Sequence, residues 1–144
     1  MIGGRVLDAS AIADIVIGRT VYGGAFVRAA QHVGITLVLP SVALQEAWMA
    51  SREKDWPFLG LLLDLPVTVV EPLDRSGAER SALIARATTD RPRRGKHRAR
   101  QVWDAGAAHA VLVARDRGWP VLTADVRRIR ALDPTIPVES LPAS

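Results

Sequence analysis

The sequence predicts an α/β protein: a three-layer α/β/α sandwich on a mostly parallel sheet of about five strands. Two observations predict it. Short β-branched apolar runs recur along the chain, and segments with helical apolar spacing alternate with them. Strands that alternate with helices pair in parallel through right-handed crossovers. The 144 residues fit a single domain, 1–144, and no repeat, low-complexity tract or long linker divides them.

Arg5-Val6-Leu7 reads as a short buried strand, with Asp8 at its junction to a helix. Ala9, Ile12, Ala13 and Val16 recur at helical spacing up to Gly18. Thr20 caps a second helix with Tyr22, Phe26, Ala30 and Val33 on one face and Gly34 as its stop. Ile35 to Leu39 is a strand, and Pro40-Ser41 opens a third helix running to about Asp55. Trp56 to Leu63 is a short helix with Pro57 in its first turn, and Val67 to Val70 is a strand. Ser76-Gly77-Ala78-Glu79 matches a capping box for a helix through about Ala87. Thr88 to Arg100 lacks apolar periodicity and reads as a basic loop. Trp103 or Asp104 starts a helix ending near Gly118; Val121-Leu122-Thr123 is a strand; Asp125 to Leu132 is a short helix; Val138 to Leu141 is an edge strand.

Composition narrows the chemistry. There is no cysteine, so disulfide frameworks, thiolate zinc sites and cysteine nucleophiles are excluded. The net charge of +4 hides an asymmetry: residues 1–74 carry five Lys+Arg against eight Asp+Glu, and residues 75–144 carry fourteen against seven. The longest apolar stretch, Ala105 to Ala114, is interrupted by His109 and falls short of the ~20 residues a membrane span needs. Asp8 and Asp14 inside the N-terminal apolar stretch argue against a secretory signal, so a cytoplasmic location with no membrane partner is expected.

In open parallel sheets, ligands bind beyond the carboxyl ends of the strands. Asp8 directly follows the first strand, Asp125 comes two residues after Thr123, and Asp104 continues the stripe of Ala107, Ala108, Val111 and Leu112 at its N-terminal end. Glu46 falls on the apolar face of the third helix with Val42, Ala43, Ala47, Met49 and Ala50, where a carboxylate needs a partner or a metal. Each aspartate alone also reads as a helix N-cap, and Glu46 alone as the partner of an arginine or as an exposed tip. Together, with no lysine among them, they suggest oxygen ligands for a hard divalent ion, Mg²⁺ or Mn²⁺. His32, His97 and His109 lack zinc-ligand spacing, and His32 and His109 read as surface or satisfied polar residues.

At these residues the chain resembles PIN-domain ribonucleases, similar to the VapC toxins of bacterial toxin–antitoxin pairs. The resemblance covers nearly the whole chain. It rests on Val6-Leu7-Asp8-Ala9-Ser10, Pro40-Ser41 to Glu46, Asp104-Ala105 with the Ala-rich helix after it, and Val121-Leu122-Thr123-Ala124-Asp125. It implies a PIN-like fold with Asp8, Glu46, Asp104 and Asp125 as catalytic metal ligands, supported by the hydroxyls of Ser10 and Thr123. It further implies Mg²⁺- or Mn²⁺-dependent hydrolysis of RNA to 5′-phosphate and 3′-hydroxyl ends, a small antitoxin partner and a homodimer. Two positions depart from the family pattern: Gly106, where a bulky aliphatic residue is frequent, and Val126-Arg127-Arg128-Ile129, where an aromatic is frequent.

Arg91, Arg93, Arg94, Lys96, Arg98 and Arg100 crowd the loop before Asp104 and are candidates to hold RNA phosphates; a solvated loop that offsets the acidic half is the alternative. Gly95-Lys96 is no P-loop, because the upstream glycine and the following Ser/Thr are missing. Trp48, Trp56, Phe58, Leu59, Leu61, Leu62 and Leu63 form a dense apolar cluster that is either core or covered by a partner. The functional expectation is a metal-dependent endoribonuclease, the toxin of a toxin–antitoxin pair. A housekeeping RNA-processing nuclease and a non-catalytic PIN-like RNA- or protein-binding module are the alternatives. A receiver domain fails for want of the lysine after a fifth strand, and a dinucleotide binder fails because Gly3-Gly4 precedes the first strand.

Overall fold

Five short runs, β1 (Gly4–Leu7), β2 (Thr36–Pro40), β3 (Thr68–Glu71), β4 (Val121–Thr123) and β5 (Val138–Ser140), pair in parallel in the order β3-β2-β1-β4-β5. Seven helices separate them: α1 (Ala9–Ile17), α2 (Val21–Val33), α3 (Ser41–Ala50), α4 (Trp56–Leu63), α5 (Arg75–Thr89), α6 (Ala105–Arg117) and α7 (Val126–Leu132). This is a computed structural model, and it describes residues 3–18, 20–89 and 103–142.

The pleat sends alternate side chains into two cores. Val6, Val38 and Val121 enter one, with α6, Ile84 of α5 and Ile129 of α7. Leu7, Leu37, Leu39 and Leu122 enter the other, with Ile12 of α1 and Leu59 of α4. Helices on both faces of an all-parallel sheet make the expected α/β/α layers. The chain builds β1, β2 and β3 outward, then returns to place β4 on the other side of β1. In open parallel sheets such a reversal is where ligands bind, here beyond the carboxyl ends of β1 and β4.

Helix α6 is buried along one unbroken stretch from Gly106 to Ala114, which explains its weak amphipathic pattern. It packs against α5, α3 and α7, and so forms the hub of the valine-lined core. Its alanines and Gly106 permit that close approach on several sides. His109 is buried within it, and its Nδ1 accepts the Val42 N–H at 3.3 Å. Burial lowers the His109 pKa, consistent with a neutral ring that pins the start of α3. His32 is exposed.

Several local expectations are corrected. The third helix ends at Ala50, not near Asp55: Ser51 turns extended while its hydroxyl donates to the Ala47 carbonyl at 2.6 Å, and Glu53–Asp55 is a separate 3₁₀ turn. Met49 and Ala50 are exposed, so the buried side of α3 is Ala43 and Ala47. Asp74, not a box at Ser76, starts α5, because its carboxylate accepts the Gly77 N–H at 2.7 Å. On α2, Tyr22 and Val33 are exposed; Gly23 and Ala30 are the buried residues. Thr20 donates to Asp14 at 3.1 Å and does not cap α2 with its side chain. Gly4 lies in β1, where the Trp119 ring covers the space a Cβ would need.

Candidate active site

Asp8, Asp104 and Asp125 each accept a backbone N–H from the helix that follows: Ala11 at 2.9 Å, Ala107 at 3.1 Å and Arg128 at 3.2 Å. The capping reading is therefore correct for all three. It does not exclude a second role, since each cap uses one oxygen and leaves the other free for another partner.

Asp8 is 1% exposed at the end of β1. The Ser10 hydroxyl donates to its Oδ1 at 2.7 Å, and the Thr123 hydroxyl to its Oδ2 at 2.6 Å. Each hydroxyl has one proton and gives it to Asp8. The 3.1 Å approach between the Ser10 and Thr123 oxygens thus has no proton of its own. Both oxygens then act as acceptors: Ser10 Oγ takes the Ala124 N–H and Thr123 Oγ1 the Asp125 N–H, each at 2.9 Å. Asp8 is in this way tied through two hydroxyls to the backbone turn that carries Asp125. The hydroxyls of Ser10 and Thr123 thus both hold Asp8. Burial pushes the Asp8 carboxyl above its usual range, and its hydrogen bonds to Thr123, Ala11 and Ser10, with the charge of Arg128, only partly offset this.

Glu46 and Asp104 are held differently. Arg128 on α7 reaches between them. Its Nη1 and Nη2 donate to Glu46 at 2.7 and 2.6 Å, and its Nε and Nη2 donate to Asp104 at 2.5 Å each. The side chains of Arg128, Glu46 and Asp104 are 24%, 34% and 31% exposed, a half-buried triad. For Asp104 burial raises the pKa, but the Arg128 hydrogen bonds, the Ala107 amide and the Arg128 charge outweigh it and hold the carboxyl below its usual range. Arg128 itself is pushed further up by both carboxylates, Asp104 first.

Arg128 is thus a correction. The sequence suggested an acid cluster without a cationic partner, and lysine was the residue checked. The cation is an arginine, Arg128, three residues after Asp125, and an arginine partner was one of the readings open for Glu46. Gly106 acquires a reason as well: a Cβ there would stand 2.5 Å from Glu46 Oε1. Its bare backbone lets the Glu46 carboxylate lie against the first turn of α6.

Among the described residues, no group of three or more His, Asp or Glu side chains is arranged to hold a metal ion. The acids stand as two pairs, Asp8 with Asp125 through Thr123 and Glu46 with Asp104 through Arg128. In kind, the donor set fits a hard divalent ion, because every candidate ligand is a carboxylate oxygen. The convergence of two carboxylates on one guanidinium shows that they can share a cation. An open groove of roughly 460 Å³ lies over this second pair, with Gln45, Met49 and Trp103 on its walls. Arg91, Arg93, Arg94, Lys96, Arg98 and Arg100 lie outside the described residues.

Neither a family model nor a curated protein matches this sequence. The fold does match a solved structure: a chain of VapBC2 from Rickettsia felis, bound there to a DNA fragment from their promoter. The TM-score is 0.66 over 99% of this chain and 100% of that one, at 11% identity. At that identity the shared property is the architecture alone: an all-parallel five-stranded sheet between helical layers, a PIN-like α/β fold.

Proposed function

We propose that the chain is a Mg²⁺- or Mn²⁺-dependent endoribonuclease, and the toxin of a toxin–antitoxin pair. The reading is supported by two observations: Asp8 and Asp125 follow the neighbouring strands β1 and β4 and are joined through Thr123, and Glu46 and Asp104 are drawn together by Arg128 on the helix after β4. Ligand sites of open parallel sheets fall where the strand order reverses, as it does between β1 and β4. The PIN-like fold supports the same reading.

In this reading the four carboxylates hold the ion. When bound, it supplies Lewis-acid stabilisation of the phosphate and lowers the pKa of an attacking water. The residues of the chain do the positioning. Ser10 and Thr123 fix both oxygens of Asp8 and the backbone of Asp125, so the Asp8 carboxylate needs no reordering when substrate arrives. Trp103, 46% exposed beside Asp104, offers an aromatic face on which an unstacked base can lie. The basic segment before Asp104 supplies phosphate contacts by charge alone.

The aromatic cluster divides in two. Leu59 and Leu62 are core, whereas Trp56, Phe58 and Leu61 are 41%, 56% and 63% exposed on α4. The exposed residues of α4, and separately Val21 and Tyr22 at the start of α2, are the surfaces on which we place the antitoxin and a second copy of the chain. The test is cleavage of single-stranded RNA by purified protein with Mn²⁺. Wild type is expected to cut and Asp8→Asn and Asp125→Asn to be inactive with intact melts. Activity retained in either variant rejects the assignment.

A further inference from the structure

We propose that Arg128 is a built-in competitor of the divalent ion: its guanidinium bridges Glu46 and Asp104 where the ion would sit, and ion binding requires it to withdraw. The inference rests on the metal-dependent reading above, because it concerns the same carboxylates.

The geometry is that of a saturated cation site. Three nitrogens of Arg128 meet all four oxygens of the two carboxylates at 2.5–2.7 Å. A planar guanidinium serves two carboxylates at once through its fork of donors, which a lysine ammonium cannot do in the same way. The other two acids are coupled to the same residue: Asp125 accepts its backbone N–H at 3.2 Å, and Asp8 feels its charge. The guanidinium therefore bears on Glu46, Asp104 and Asp8, while Asp125 meets only the backbone of the same residue.

The position also permits withdrawal. Arg128 is on a seven-residue helix in which Ile129 is the buried residue, so rotation of the arginine side chain leaves the core undisturbed. The open groove beside it gives the displaced guanidinium room. Glu46 has room to adjust, since its neighbour on α6 is Gly106. Apparent ion affinity then falls by the fraction of molecules in which the arginine has left the pair.

Calorimetric titration of metal-free full-length chain with Mn²⁺ tests this. Arg128→Gln is expected to bind Mn²⁺ about tenfold more tightly than wild type, as follows if the arginine is withdrawn about a tenth of the time. Its metal-free melting temperature should fall and then recover further than wild type when Mn²⁺ is added. Equal or weaker binding by Arg128→Gln overturns the competitor role and leaves the metal site standing. No binding by either protein rejects the metal site and the competitor with it. Should Arg128→Gln fail to fold, a ¹⁵N experiment on wild type gives the answer, with Arg128→Lys used to assign the Arg128 Nε–H. That resonance should shift and lose protection from exchange as Mg²⁺ saturates, and a resonance that stays unmoved overturns the proposal.

Discussion

Asp8 and Asp104 are the same residue type, at the same kind of helix start, in two opposite electrostatic settings. Asp8 is fully buried and held by two hydroxyls and an amide, none of which carries charge. Asp104 is one-third exposed and clamped by a guanidinium. Burial raises the first carboxyl and the arginine lowers the second. Neutral donors orient a carboxylate while leaving its negative charge in place for an incoming cation; an arginine orients it and cancels that charge. On the proposed metal-dependent reading, one half of the cluster would be preorganised for an ion and the other half guarded.

The largest effect that would sharpen this contrast is loss of function at Asp8. Asp8→Asn is expected to abolish RNA cleavage, with the protein still folded by circular dichroism. A smaller effect follows from Thr123→Val, which removes a donor from Asp8 Oδ2 and leaves the Asp125 N–H without its acceptor. Losing this support should cost about 10–100-fold in cleavage or metal affinity and about 1–3 kcal/mol in chemical denaturation. Unchanged values in both would break the link between Asp8 and Asp125.

Next in size is a difference of sign between the two carboxyls. A raised folded pKa means that stability present below the unfolded value, about 3.9, is lost as pH rises through the folded value. Asp8→Asn should therefore melt no lower than wild type at pH 7, and the two should converge in acid. A lowered folded pKa works the other way, giving stability above about 3.9 that is lost as pH falls through the folded value. Asp104→Asn should therefore melt below wild type at pH 7 and converge with it in acid. Melts of both variants from pH 3 to pH 8 read the sign directly, and shifts in the same direction would contradict the contrast.

The smallest effect belongs to Gly106→Ala. Helix propensity favours the change by about 1 kcal/mol. The new methyl displaces the tip of Glu46, a flexible group, so the two effects nearly offset in a denaturation curve. The Arg128 clamp should loosen all the same, and Mn²⁺ binding should tighten. Weaker binding would mean that Glu46 must sit where Gly106 admits it.

Much of this was legible in the sequence where periodicity and turn chemistry are local. Val121–Thr123 is the predicted strand residue for residue, and Gly18, Gly34 and Gly118 each end a helix with positive φ. The three capping aspartates and their place at one end of the sheet follow from alternation alone. Contacts made across the fold were not legible. Arg128 reaches Glu46 across 82 positions of sequence and Asp104 across 24, and no local rule selects it over Arg127 or Arg130. The charge asymmetry along the chain likewise does not give the arrangement in space. Arg5–Glu139, Arg117–Glu71 and Arg128–Glu46 each join the acidic half to the basic half, so charge that is separated along the chain is interleaved in space. The two faces of α4 were undecidable because nearly every residue in it is apolar, and only packing shows that Leu59 turns inward and Phe58 outward.

The most direct measurement of the central claim is induced expression of wild type and Asp8→Asn, with cleaved 5′ ends mapped across cellular RNA. The account predicts growth arrest and discrete 5′-phosphate cuts with wild type, and neither with Asp8→Asn. The same cuts in both, or none in either, would contradict it.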